Sequence, residues 1–138
     1  RLETLPLIAE REWACACKDV SNAGLLGTLS IMMENSGQGA LIHLDAIPCP
    51  APLKLSQWLV SFQSFGFVLS ARPEFSTRII DLFNKRGIDA AVVGKVLYGH
   101  TVTIASGPES LKLFDFGKEK ITGITCPAKS RCPNKNEN

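Results

Sequence analysis

The longest regular hydrophobic pattern in the chain covers residues 23–36, where apolar positions recur at steps of three and four. The stripe consists of Leu25, Leu26, Leu29, Met32 and Met33. This spacing predicts an amphipathic helix with Ser21 or Asn22 as its cap and Gly37 as its exit. A second amphipathic helix is predicted from Pro73 to about Gly87, because Pro suits a first turn and Gly an exit.

Shorter apolar and β-branched runs predict strands. They cover residues 13–20, 39–45, 65–70, 90–97, 101–105 and 111–116. The runs 90–97 and 101–105 flank Tyr98-Gly99-His100, which predicts a hairpin with a short glycine-containing loop. Residues 53–62, and less regularly residues 1–12, fit short helices.

In chain order these elements form a split βαβ pattern. Right-handed crossovers would place both long helices on one face of a mixed sheet. We therefore predict an α/β (α+β) fold, a two-layer sandwich related to the ferredoxin-like arrangement. The other face of the sheet then needs a cover, such as another domain, a second subunit or the amino-terminal helix.

Composition limits this fold to one domain. The 138 residues are 45% hydrophobic and 20% charged, enough for one core. We predict a domain over residues 1–125 and a flexible polar tail over 126–138, which has no apolar period. The net charge of +2 comes from dispersed residues, which argues against nucleic acid as a partner.

Membrane insertion and metal binding are also not expected. No apolar run approaches the roughly 20 residues of a transmembrane helix, and the amino terminus does not resemble a signal peptide, so we predict a cytoplasmic protein. The five cysteines are expected to be mainly reduced thiols. Cys15 and Cys17 are expected on opposite faces of a strand, and no four-ligand zinc spacing occurs, so no metal site is predicted.

The junction before the first long helix is the candidate binding site. Asp19, Ser21, Asn22 and Gly24 lie where a predicted strand meets a helix amino terminus, where free backbone N–H groups attract anions. The alternative is helix capping, which contributes about 1 kcal/mol. On the residues alone the two interpretations have similar weight, and no catalytic residue is assigned.

Several segments together resemble the carboxy-terminal domain of AIR synthase-related proteins, within the superfamily of AIR synthase, thiamine-monophosphate kinase and selenophosphate synthetase. Members similar to methanogenesis marker protein 2 share the most segments. The segments are residues 19–25, 34–40, 44–48, 66–69, 73–74, 86–96, 114–116 and 121–124. One departure is Asn22-Ala23, where the kinase relative has Asp-Gly.

The resemblance implies the carboxy-terminal, substrate-side domain of an ATP-dependent enzyme of unknown substrate that is inactive alone. The parent would perform phosphoryl-transfer or ligase-type chemistry, with ATP and Mg in an amino-terminal domain and no cofactor in this chain. Asp19 would be a hydrogen-bond or magnesium partner, and Ser21 a phosphate or substrate contact. Expected partners are that domain, a small-molecule substrate and a second copy in a homodimer. The alternative is a non-catalytic binding or oligomerisation module.

Overall fold

A computed structural model describes residues 3–61 and 66–125. Its helices are α1 (Thr4–Glu10), α2 (Gly24–Ser36), α3 (Leu55–Val60) and α4 (Pro73–Asn84), with a 3-10 turn at Leu44–Ala46. Its strands are β1 (Ala14–Asp19), β2 (Gly39–His43), β3 (Phe67–Ala71), β4 (Gly94–Leu97), β5 (Thr101–Ser106) and β6 (Glu109–Asp115). The two long helices lie where the hydrophobic period predicts them, and Gly37 ends α2 with a left-handed φ of 63°.

The strands form two sheets. β1 and β3 pair antiparallel as a two-stranded sheet, and the other strands form a four-stranded mixed sheet in the order β4-β2-β5-β6. β2 is antiparallel to β4 and parallel to β5, whereas β5 and β6 are antiparallel. The mixed α/β class is confirmed, with its strands divided between two sheets.

The predicted hairpin of residues 90–97 and 101–105 is wrong. β2 lies between β4 and β5, so Ala40 pairs with Val96 on one side and with Val102 on the other. The short loop of residues 98–100 passes the start of β2, where a Cβ on Gly39 would lie 2.6 Å from the Thr101 carbonyl oxygen. Local turn residues predict a reversal of the chain, but they carry no information about a third strand that lies between the two strands flanking the turn.

The larger hydrophobic core joins α2 to both sheets. Its buried members are Val20, Leu29, Met32, Met33, Ala40, Ile42, Ile47, Val68 and Val102. Leu25 and Leu26 pack against this core with partial exposure, so the whole predicted stripe of α2 faces inward. This packing fixes the end of β1 next to the start of α2.

A second cluster holds α1 and α4 together, with Ile8, Ile79 and Phe83 as its buried members. Val68 belongs to the first cluster and its neighbour Leu69 packs against the second. Successive strand residues point to opposite faces, so both faces of the β1–β3 sheet are used. Trp13 stacks on Phe75 at this cluster, with ring centroids 6.5 Å apart.

Some predictions lie outside the described residues. They are the helical position of Phe62, the start of the third strand at Phe65 and the flexible tail over 126–138. The division of the chain into a domain of residues 1–125 and a tail stays a prediction.

Candidate functional site

The loop between β1 and α2 is held by backbone hydrogen bonds at both ends. After Asp19 closes β1, the Val20 N–H donates to the Gly66 carbonyl oxygen over 2.9 Å. The Gly24 N–H then donates to the Ser21 carbonyl oxygen over 2.8 Å, which closes a tight turn. The loop therefore has a fixed path across the end of the two-stranded sheet.

A side chain from α2 fixes the middle of this loop. The hydroxyl oxygen of Thr28 accepts a hydrogen bond from the Ser21 N–H at 3.2 Å. Thr28 is fully buried, whereas Ser21 is half-buried, so the contact joins the interior to the edge of the loop. Both backbone groups of Ser21 are thus used within the protein, and its hydroxyl is not needed to hold the loop.

Gly24 has a structural reason to be glycine. It is buried with a φ of +67°, a conformation that L side chains rarely adopt. A Cβ there would overlap the Leu59 carbonyl oxygen and lie 3.2 Å from the Val60 Cα. Gly24 therefore allows the start of α2 to approach the end of α3, and its presence does not by itself indicate a phosphate site.

The expected side-chain cap of α2 is wrong. Ala23 is the N-cap residue, and no side chain of the described chain makes a capping hydrogen bond there. Ser21 and Asn22 lie too early in the loop, because the positive φ of Gly24 delays the helix start. The capping explanation for these polar residues therefore fails.

The remaining polar side chains of the loop are accessible. Asp19 and Asn22 are exposed and Ser21 is half-buried. Within residues 3–61 and 66–125, these three side chains make no hydrogen bond or ion pair. The charge of Asp19 helps to raise the pKa of the Cys17 thiol, although the partial loss of water around this otherwise exposed thiol is the larger cause. Asp19, Ser21, Asn22 and Gly24 thus lie together as predicted, while a binding role for them stays a prediction.

Two shallow grooves lie elsewhere on the surface. One, of about 300 Å³, runs between α1 and β1, and includes Leu5, Ala9 and Cys17 in its lining. The other, of about 380 Å³, is lined by Glu3, by residues of α1 and by Arg86. Neither groove includes a residue of the loop between β1 and α2.

Sequence reasoning missed the most densely hydrogen-bonded carboxylate of the described chain. Glu34 is 3% exposed and accepts hydrogen bonds from the Ile121, Thr122 and Gly123 N–H groups at 2.8 to 3.1 Å. The Thr122 hydroxyl donates another at 2.9 Å. These bonds lower the pKa of Glu34, with the Thr122 N–H as the largest cause, while burial acts in the opposite direction.

Both partners of this contact lie in segments that the sequence analysis had already singled out. Glu34 opens one of the segments that carry the family resemblance, and residues 121–124 form the last of them. The structure shows that these two segments bind each other. Nothing in their local patterns indicates that pairing, since 87 to 89 positions separate the partners.

The cysteines depart in part from expectation. Cys15 forms a disulfide, whereas Cys17 and Cys49 are free thiols, so the prediction of reduced cysteines is wrong for Cys15. Cys15 and Cys17 are both exposed, on the same side of β1, because residues two apart on a strand share a face. The assignment to opposite faces is therefore also wrong.

Across residues 3–61 and 66–125, no three His, Cys, Asp or Glu side chains form a group suited to holding a metal ion. In the same two ranges, no helix combines the length and apolar character needed to cross a membrane.

The fold is that of an α/β domain with an exposed polar loop between β1 and α2. Residues 1–106 match the model of the AIR synthase related protein, C-terminal domain family. The chain belongs to this family, which confirms the resemblance seen in the sequence.

Known proteins similar to the chain are longer than it is. An uncharacterized protein of Synechocystis sp. is 41% identical over 123 residues, which are 89% of this chain and 38% of that protein. The structure of Thermotoga maritima PurL complexed with FGAR matches with a TM-score of 0.72 at 20% identity, over 79% of this chain and 18% of PurL. A chain of the HypE-HypF complex matches with a TM-score of 0.70 at 19% identity, over 79% of this chain and 39% of that one. The two structural matches show the fold.

Proposed function

We propose that the chain is the carboxy-terminal, substrate-side domain of an ATP-dependent enzyme resembling AIR synthase. Its loop of residues 19–24 would line a cleft shared with an amino-terminal domain. The observation that carries this proposal is that the loop backbone is fixed, while the side chains of Asp19, Ser21 and Asn22 have no partner among the described residues. Side chains that neither cap a helix nor stabilise the loop are available to a ligand.

The chain matches only part of the length of these relatives, which supports a multidomain parent. The Synechocystis protein extends well beyond the 38% that this chain matches. PurL of T. maritima, which matches over a fifth or less of its length, has been solved in complexes with ATP and with FGAR. These ligands belong to PurL, and they make a nucleotide and a phosphorylated small molecule the first candidates for the parent here.

The chemistry of the loop suits substrate contact better than ATP binding. Ser21 offers a hydroxyl, Asn22 an amide and Asp19 a single carboxylate, so the loop could hydrogen-bond a polar substrate and supply one oxygen ligand to Mg²⁺. Among the described residues, no three His, Cys, Asp or Glu side chains are grouped so that they could hold a metal ion. ATP and Mg²⁺ are therefore proposed to be held by the amino-terminal domain, in a cytoplasmic protein.

Turnover measurements test this proposal. We expect no ATP hydrolysis from this chain with MgATP, and hydrolysis when the chain is part of its full-length parent. In that parent, Ser21→Ala and Asn22→Ala should each lower kcat/KM by about tenfold, one lost transition-state hydrogen bond, and exposed Ser110→Ala should not. Robust hydrolysis by the chain alone, or equal activity of all three variants, would overturn the proposal.

One observation favours the alternative of an oligomerisation module. β4 is an edge strand with exposed apolar side chains, Val96 at 48% and Leu97 at 44%, and Val92 just before it is 57% exposed. Exposed edge strands of this kind can pair with a second chain. A concentration-independent dimer mass that Val96→Lys reduces to a monomer would support this alternative and the predicted homodimer, and a monomer mass for the unaltered chain would exclude both.

A further inference from the structure

The hydroxyl of Thr28 is placed to control the loop of residues 19–24. It comes from the second turn of α2, lies in the fully buried interior and accepts the Ser21 N–H at 3.2 Å. Hydrophobic packing alone does not require a hydroxyl at this position, since valine has a similar shape. A buried hydroxyl is retained without cost only where it has a hydrogen-bond partner.

The other attachments of this loop use the backbone. Val20 bonds to Gly66, and Gly24 bonds to Ser21, in both cases through N–H and carbonyl groups. Thr28 makes the one hydrogen bond from a side chain to this loop in the described part of the protein. It is therefore the attachment that a substitution can remove while the backbone chemistry is unchanged.

Ser21 is the residue most affected by this attachment. Its N–H is bonded to Thr28 and its carbonyl oxygen to Gly24, which holds the backbone from which its hydroxyl and the neighbouring Asn22 side chain project. Binding groups need a supporting layer of contacts to keep their geometry. Resting on the proposed role of the loop, we infer that Thr28 is a positioning residue for Ser21 and Asn22 that never contacts the ligand itself.

Variants of Thr28 in this chain test the inference without knowledge of the substrate. Thr28→Val and Thr28→Ala remove the hydroxyl, and Thr28→Ser restores it. Ser30→Ala is the matched control, because Ser30 is equally buried on α2 and its hydroxyl donates to the Leu26 carbonyl oxygen within the helix. The first measurement is amide hydrogen exchange at Ser21, and the second is NMR titration of Ser21 and Asn22 with inorganic phosphate and Mg²⁺.

We expect Thr28→Val to speed exchange at Ser21 and to weaken phosphate binding, each by roughly fivefold, the effect of one lost hydrogen bond. Thr28→Ser should match the unaltered chain in both measurements, and Ser30→Ala should change neither. Thr28→Ala carries the same expectation if Thr28→Val does not fold.

The outcomes separate this inference from the proposed function. Faster exchange with unchanged phosphate affinity overturns the positioning role and leaves the binding loop standing. Unchanged exchange overturns the inference at its first step. No phosphate response at Ser21 or Asn22 in any variant overturns the binding role of the loop, and the positioning role with it.

Discussion

Thr122 binds the carboxylate of Glu34 twice, through its backbone N–H at 2.8 Å and its hydroxyl at 2.9 Å. The Asn35 side-chain oxygen lies 3.0 Å from the same hydroxyl oxygen and is an alternative acceptor for its one hydrogen. Residues 121–123 are thereby attached to the last turn of α2, although they are themselves exposed.

Glu34→Gln is expected to release this segment. A glutamine amide offers one acceptor oxygen, and its NH₂ group would face N–H donors that need an acceptor. Amide exchange at residues 121–123 should become about tenfold faster or more, since hydrogen bonds to a charged group are the stronger ones. Exposed Glu109→Gln, on β6, is the control and should leave exchange at residues 121–123 unchanged, while equal exchange in both variants would contradict the contact.

Glu34 should also make the stability of the domain depend on acid. Its pKa in the folded protein is lowered from the ordinary value of 4.5, so its contribution is fully present above that value and is lost as the pH falls through the lowered pKa. The free energy of unfolding, from urea titrations at several pH values, should fall as the pH drops below 4.5. The fall should be less steep in Glu34→Gln, and identical slopes would show that Glu34 is not responsible.

Gly24→Ala is expected to destabilise the domain more than Gly87→Ala. Both glycines have positive φ, +67° and +69°, but a Cβ at Gly87 meets no atom within 4 Å. Gly87→Ala should therefore cost about 1 kcal/mol from backbone strain alone. Gly24→Ala should cost more, because it adds the overlap with the Leu59 carbonyl oxygen to the same backbone strain. If thermal denaturation shows an equal loss of stability in the two variants, the close approach of Gly24 to Leu59 is refuted.

Asp45 stabilises the turn between β5 and β6. Its carboxylate accepts hydrogen bonds from the Ser106 hydroxyl at 3.0 Å and the Gly107 N–H at 2.9 Å. Asp45→Ala should lower the free energy of unfolding by about 1 kcal/mol, because both bonds are exposed. Asp81→Ala, on the exposed side of α4, should lower the free energy of unfolding clearly less. Chemical denaturation of the two variants side by side measures the difference.

Local periodicity was enough to predict α2 and α4, because a helix buries residues at fixed steps and both stripes are complete in the sequence. A local apolar run likewise predicts a strand over residues 111–116, which overlaps β6, but it does not predict that β6 pairs with β5. Contacts over long separations could not be read in this way. The insertion of β2 between β4 and β5, the Glu34–Thr122 contact and the closeness of Gly24 to Leu59 all depend on how distant segments pack.

The candidate site shows the same limit. Its residues were found from their types and their place before a helix, and they do lie together on one loop. The attachment of Ser21 to Thr28 and the displacement of the cap to Ala23 depend on the left-handed backbone at Gly24. A sequence pattern does not distinguish that backbone from an ordinary helix start.

The central place of β2 bears on how the domain folds. Its two neighbours, β4 and β5, are both supplied by the chain more than 50 positions later, so the strand stays without hydrogen-bonded partners until most of the domain is synthesised. Proteins dominated by such non-local pairings have high contact order and fold slowly. A polypeptide that stopped before Gly94 would leave an apolar strand open on both edges, and we expect such a product to aggregate.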